Sequence, residues 1–70
     1  MPDQTFGARL VALRKAAELT QTALAALVGV SQVQISLIES GQREPSVGTL
    51  RKLAKALGVS PGRLFGEETK

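Results

Sequence analysis

Residues 20–41 read TQTALAALVGVSQVQISLIESG and indicate two short helices separated by a glycine. Thr20 is a favourable N-cap for a helix that begins at Gln21, because its side-chain oxygen can accept hydrogen bonds from the free N–H groups of the first turn. Gly29 can end that helix, since glycine adopts the left-handed backbone conformation without a steric penalty. Ser31 and Gln34 form the S-x-x-Q capping box that begins a second helix. The stretch therefore predicts a helix, a tight turn and another helix.

The second helix has one apolar face and one outward face. Ile35 and Ile38 share the apolar face, and Gly41 is a natural end for the helix. The outward face combines positions i, i+1, i+4, i+5 and i+8 and contains no lysine or arginine. A helix presented outward after a glycine turn is the geometry by which helix-turn-helix proteins place their second helix in the major groove of DNA. The members of this outward face are Gln32, Val33, Ser36, Leu37 and Ser40.

The same stretch resembles the helix-turn-helix of the Cro and repressor family, also called Xre-like, of phage and bacterial transcriptional regulators. The similarity covers roughly residues 6 to 66. It implies an all-α fold, a compact five-helix bundle similar to the lambda-repressor DNA-binding domain, with the helix-turn-helix in helices 2 and 3. The residues that carry the resemblance are Arg14, Gln21, Leu24, Ala25, Val28, Gly29, Val30, Ser31, Ile35, Ile38, Glu39, Gly41, Pro45, Leu50, Leu53, Ala54, Leu57, Gly58, Val59 and Ser60.

The composition describes a small chain with little catalytic chemistry. Its 70 residues predict one domain, 1–70, with the helix-turn-helix at 20–41 and a flexible tail at 66–70. The chain has no His or Cys and its acidic residues are scattered, so the usual general bases, thiolate nucleophiles and soft metal ligands are missing. We therefore expect no enzyme activity, no catalytic residue, no metal and no cofactor. The net charge of +3 favours a polyanionic partner.

Features of export or membrane insertion are also missing. Charges at Asp3, Arg9 and Arg14 precede any long apolar run, which argues against a signal peptide. The longest apolar run, residues 23–30, is too short to cross a bilayer. We expect a cytoplasmic protein without a membrane partner, associated with the nucleoid when it is bound to DNA.

Three further helices are predicted around the helix-turn-helix. The first runs from a cap at Asp3 to about Glu18, where the family often has glycine, and buries an apolar stripe that ends at Ala17. The fourth covers residues 47–57 and carries its apolar residues, including Val47, on one side. The fifth begins at Pro61, because proline is tolerated at the first position of a helix.

An internal ion pair is implied by the resemblance. In the similar repressors, an arginine at the position of Arg14 pairs inside the domain with the glutamate at the position of Glu39. Removing one member of a buried pair costs about 3–5 kcal/mol, because the other charge is left unpaired. Both residues are therefore expected to be structural, and the alternative for Arg14 is contact with DNA.

Base contacts are expected from the outward face of the second helix. A glutamine amide can bond adenine N6 and N7 together, so Gln32 is the leading base reader, and its alternative is a simple exposed residue. Val33 and Leu37 either contact thymine methyl groups or belong to a protein interface. The family commonly has a polar or basic residue where Leu37 stands. Ser36 completes the predicted base-contact set, and its alternatives are a phosphate contact or no contact.

Phosphate contacts are expected from the helix ends and from the loop after the second helix. Gln21 opens the first helix of the pair, where the helix dipole and free N–H groups favour an anion. The resemblance implies that Gln21 reaches a phosphate and braces Gln32. In the family this loop lies along the DNA backbone, and Arg43 is suited to a phosphate, with ordinary loop charge as the alternative. Ser40 and Gln42 complete the predicted phosphate-contact set.

A single small domain reads few base pairs, and the family solves this with a two-fold dimer on a pseudo-palindromic site. We expect a homodimer with Val59, Leu64 and Phe65 at its interface, unless these residues cap the core of the monomer, and Leu27 is a second interface candidate.

The predicted function is a transcriptional regulator, a repressor, that binds double-stranded DNA sequence-specifically. The alternative is an antitoxin or another module that binds a partner protein. The apolar residues of the outward face and its lack of basic side chains favour this alternative.

Overall fold

The computed structural model describes residues 5–65, and this part of the chain consists of helices joined by short turns, without a β-strand. The all-α prediction is therefore confirmed, with the helix-turn-helix in the second and third helices. The tail predicted at residues 66–70 lies outside the described residues, as does the side chain of Phe65. The five helices are α1 (Phe6–Ala16), α2 (Gln21–Val28), α3 (Gln32–Glu39), α4 (Val47–Leu57) and α5 (Pro61–Phe65).

Every helix begins behind a Ser or Thr whose hydroxyl oxygen accepts a hydrogen bond from the backbone N–H three residues later. The five N···Oγ distances lie between 3.0 and 3.2 Å. For α1 the cap is Thr5 rather than the predicted Asp3, which lies outside the described residues. The other caps are Thr20, Ser31, Ser46 and Ser60.

The turns after α1 and α2 both need a left-handed residue. Gly29 ends α2 with a φ of 85°, and after the turn α3 departs at 110° to α2. α1 ends at Ala16, two residues before the predicted end, and Glu18 then adopts a φ of 61°. This conformation is costly for a residue with a Cβ, so Glu18 carries the strain that glycine would avoid at this position. Ala17 is consequently exposed and does not extend the buried stripe of α1.

The core lies between all five helices and contains only apolar side chains among the described residues. Leu64 has no exposed surface, so it fills the core of the single chain and cannot form a dimer interface, which corrects the prediction for this residue. Val47 is 67% exposed at the start of α4 and is not part of the apolar side, again contrary to the prediction. The buried residues are Leu10, Leu24, Ala25, Val28, Ile35, Ile38, Leu53, Ala54 and Leu64.

Gly7 allows α1 to lie directly against the carboxyl end of α3. It is buried, and a Cβ atom at this position would lie 2.3 Å from the carbonyl oxygen of Glu39 and 2.8 Å from that of Ile38. Only a residue without a side chain fits such a close approach. Gly7 therefore sets the distance between α1 and the helix that carries the outward face.

Across residues 5–65, no single helix combines the length and apolarity needed to cross a membrane. α2 and α3 reach those limits only when they are added together, and they are bent by 110° at their junction.

Candidate nucleic-acid interface

The outward face of α3 is exposed towards its two ends and half-buried between them. Gln32 and Ser40, at its two ends, are exposed, and Val33 is 62% exposed. Ser36 and Leu37 lie between them and are half-buried. On the opposite side, Ile35 and Ile38 are buried in the core. The helix is thus anchored by one side and offers the other, uncharged side to a partner.

An ion pair fixes the carboxyl end of α3 to α1. Arg14 Nε donates to Glu39 Oε2 at 2.6 Å, and Arg14 Nη2 donates to Glu39 Oε1 at 3.2 Å. The two side chains are only 11% and 5% exposed. Arg14 Nη1 also donates to the carbonyl oxygen of Leu19 at 2.8 Å, so the same guanidinium holds the strained turn after α1. Such bidentate, charge-assisted bonds are the strong class of protein hydrogen bonds.

A relay of two amides leads from this ion pair to the surface. Gln21 Nε2 donates to Glu39 Oε1 at 2.8 Å. Gln32 Nε2 in turn donates to Gln21 Oε1 at 2.6 Å. Gln21 and Gln32 are the first residues of α2 and α3, so the relay ties the amino ends of both helices to the carboxyl end of α3. We call Arg14, Glu39, Gln21 and Gln32 the polar relay.

The end of α3 is held by hydrogen bonds to the carbonyl oxygen of Leu37. The backbone N–H groups of Gln42 and Arg43 donate to it at 2.9 and 3.2 Å, and the hydroxyl of Ser40 donates to it at 3.1 Å. Gln42 Nε2 donates to Ser40 Oγ at 2.9 Å. The single hydroxyl hydrogen of Ser40 is therefore engaged, and a phosphate contact through Ser40 would require that bond to break. Gln42 keeps a second N–H, and Arg43 is exposed.

Two features of this site have no counterpart in the sequence predictions. The first is the bond from Gln21 to Glu39, which links the ion pair to the surface. The second is Gly7, which lies in the first turn of α1 and has no predicted role. A glycine inside a helical pattern costs about 1 kcal/mol relative to alanine, and that unfavourable choice is the signal that would have pointed to a close packing contact.

Val59 and Leu64, two of the residues predicted for dimerisation, do not form an exposed patch. Val59 is half-buried and packs against the core, and Leu64 is buried. Leu27, the second candidate, is 62% exposed and lines a cleft of about 440 Å³ between α2 and α4, together with Lys52 and Lys55. Among the described residues, no group of three or more His, Cys, Asp or Glu side chains is arranged to hold a metal ion.

The fold and the outward face define a helix-turn-helix protein. The helix-turn-helix family model, HTH_3, matches residues 10–64, and the chain belongs to this family. The resemblance proposed from the sequence is therefore confirmed. The family is non-enzymatic, which confirms the expectation of no enzyme activity.

The chain is similar to several phage repressors. It is 40% identical over 65 residues to the immunity repressor protein of Bacillus phage phi105, and the aligned region covers 93% of this chain and 45% of that repressor. It is 44% identical over 65 residues to repressor protein C2 of Salmonella phage P22, covering 93% of this chain and 30% of that repressor. The chain thus spans less than half the length of these two relatives.

Solved structures share the same arrangement of helices. The P22 c2 repressor, crystallised in complex with a synthetic operator, superposes with a TM-score of 0.87 at 41% identity, covering 94% of this chain and 100% of that chain. The restriction-modification controller protein C.AhdI from Aeromonas hydrophila superposes with a TM-score of 0.83 at 43% identity, covering 86% and 91%. These relatives are named as repressors and as a restriction-modification controller protein, and they do not favour the alternative of a module that only binds a partner protein.

Proposed function

We propose that this chain is the DNA-binding part of a transcriptional repressor, with α3 lying in the major groove of its operator. The observation that carries the proposal is the polar relay, which holds an exposed amide at the start of a helix whose outward face is uncharged. An amide at the start of a groove-facing helix can read a base edge through paired hydrogen bonds, and an uncharged face has no cation that would instead favour phosphates. The similarity to the repressor crystallised with an operator supports the same conclusion.

Base recognition is assigned to the outward face of α3. Gln32 bonds adenine through N6 and N7, which is worth about 1–3 kcal/mol against a wrong base. Val33, which is 62% exposed at the next position, contacts a thymine methyl group. Ser36 and Leu37 lie one turn further along and contact the next bases, Leu37 through its apolar side chain.

Affinity is assigned to phosphate contacts on both sides of α3. Gln21 uses one N–H for Glu39 and keeps the second for a phosphate, at a helix start where the dipole favours an anion. Arg43 and Gln42 reach the backbone from the loop that follows α3, and Ser40 joins them if its hydroxyl turns away from Leu37. Salt should therefore weaken binding through these contacts.

We further propose that two chains bind one pseudo-palindromic operator, with half-sites roughly 34 Å apart. The interface lies around Val59 and Phe65, at the turn before α5 and at its end. The face around Leu27 is less suitable, because a two-fold contact there would bring Lys52 and Lys55 of both chains together. Like charges placed opposite one another oppose association.

Selection of duplexes from a random library, at about 0.1 M salt, tests this function. Wild type should enrich a two-fold symmetric site, and Gln32→Ala should relax the preference at one base pair of each half-site. Gln34→Ala is the matched control, since Gln34 lies on α3 outside the outward face. Gln34→Ala should select the wild-type site. A folded wild-type protein that enriches no sequence would refute the proposal.

A further inference from the structure

The polar relay has a direction, and that direction is set by its buried end. A carboxylate can only accept hydrogen bonds. Glu39 Oε2 accepts from Arg14, and Glu39 Oε1 accepts from both Arg14 and Gln21. Gln21 must therefore turn its amide nitrogen towards Glu39, which leaves its oxygen facing Gln32. A glutamine amide that is free in solution would have no such preferred orientation.

The same logic passes to the exposed amide. Because the oxygen of Gln21 can only accept, Gln32 must donate to it through Nε2, as it does at 2.6 Å. Gln32 is left with one N–H and with its carbonyl oxygen to present to a ligand. The carboxylate of Glu39 thus determines which hydrogen-bonding groups Gln32 presents at the surface. The Glu39 side chain itself is only 5% exposed.

We propose that Glu39 is a positioning residue for base specificity, acting through Gln21 to make Gln32 accept adenine and reject guanine. This inference rests on the proposed DNA-binding function. Adenine presents a donor at N6 and an acceptor at N7, which match the remaining oxygen and N–H of Gln32. Guanine presents acceptors at both O6 and N7, so its O6 would meet the oxygen of Gln32 lone pair to lone pair. A Gln32 amide released from the relay can turn over and offer both N–H groups to guanine.

The test removes the carboxylate without leaving a buried charge. Replacing a buried ion pair by apolar residues of similar volume is often neutral for stability, so the double variant Arg14→Met/Glu39→Met should stay folded. The measured quantity is the adenine-to-guanine ratio at the base pair that Gln32→Ala relaxes, in duplexes selected from a random library. We expect this ratio to fall about tenfold in the double variant, because discrimination by one bidentate contact is of that order. Preferences at the other base pairs should remain.

A second variant tests the orientation of Gln32 if the double variant does not fold. Gln21→Met leaves the Arg14–Glu39 ion pair intact and removes the acceptor that orients Gln32. Gln21→Met should lower affinity for all sequences, since a phosphate contact is lost, and should again lower the adenine-to-guanine ratio about tenfold at that one base pair. A merely structural role of the relay would instead weaken all sites alike.

Rescue supplies the most specific evidence. In the double-variant background, Gln21→Glu places a group that can only accept next to Gln32, so the adenine preference should return although binding is weaker at every site. An unchanged adenine-to-guanine ratio in the double variant and in Gln21→Met would overturn the inference while leaving the DNA-binding function in place. A wild-type protein that selects no site would overturn both.

Discussion

Gly7→Ala should destabilise the protein although alanine is the better helix former. The added Cβ would lie 2.3 Å from the carbonyl oxygen of Glu39, whereas carbon and oxygen atoms ordinarily approach to about 3.3 Å. α1 and α3 would have to separate by about 1 Å. Overpacking costs about 1–3 kcal/mol, and the upper end applies because the atoms met are backbone atoms. Alanine returns about 1 kcal/mol of helix propensity, so the net loss is about 2 kcal/mol.

The same separation should disturb the polar relay. Arg14 lies on α1 and Glu39 on α3, and their 2.6 Å contact spans the two helices that would move apart. Charge-assisted hydrogen bonds of this kind depend on close, aligned contact. Gly7→Ala should therefore weaken DNA binding even at temperatures where the variant remains folded.

Urea and thermal unfolding, followed by circular dichroism, measure the effect. For a domain of this size, 2 kcal/mol corresponds to a fall in Tm of about 8–16 °C. Gly48→Ala is the matched control, because a Cβ at Gly48 meets only Ser46 Oγ, 4.0 Å away. That variant should gain about 0.5–1 kcal/mol, because alanine is the better helix former and lowers the entropy of the unfolded chain. Equal melting temperatures for the two variants would refute the close-approach argument.

Three further outcomes are expected. Glu18→Gly should stabilise the protein by about 0.5–1 kcal/mol in thermal unfolding. Glycine removes the left-handed strain at a φ of 61°, and this gain exceeds the entropy cost of glycine in the unfolded chain. A lower Tm for the variant would contradict this. Arg14→Met alone should lower the free energy of unfolding in urea by about 3–5 kcal/mol, since it leaves a buried carboxylate unpaired. Arg14→Met/Glu39→Met should leave that free energy nearly unchanged. Equal losses of stability in the two variants would contradict this argument from charge. We assume about three phosphate contacts per chain. A plot of the logarithm of operator affinity against the logarithm of salt concentration should then have a slope of roughly −5 for a dimer. A slope of about −2.5 would indicate binding by one chain.

Local sequence signals predict the helix-turn-helix well. The start of α2 behind Thr20, the left-handed Gly29 and the cap at Ser31 each depend on one residue type in a defined backbone position. α1 is less well predicted at both of its ends. Thr5 rather than Asp3 caps it, and the helix ends at Ala16 because Arg14 and the strained Glu18 hold a turn there. That turn depends on a tertiary contact, which helical periodicity does not contain.

The candidate site divides in the same way between local and tertiary information. Periodicity is sufficient to place Gln32 and Val33 on the outward face, because successive positions of a helix have fixed directions. The burial of Leu64 and the bond between Gln21 and Glu39 depend on how α5 and α2 pack against the rest of the chain. Sequence spacing does not specify such packing, so the interface prediction at Leu64 was wrong and the connection from Glu39 to Gln21 was missed.

The distribution of charge separates affinity from specificity in the proposed site. α3 carries one charged residue, Glu39, and the ion pair with Arg14 neutralises it inside the protein. The outward face is uncharged, so in the proposed site Gln32 would distinguish bases only by the direction of its hydrogen bonds. Arg43 lies in the loop beyond α3, where its charge would attract the backbone of any DNA sequence equally. Salt should therefore lower affinity for all operators together and leave the preference for adenine unchanged, because counterion release acts on the phosphate contacts and not on the amide.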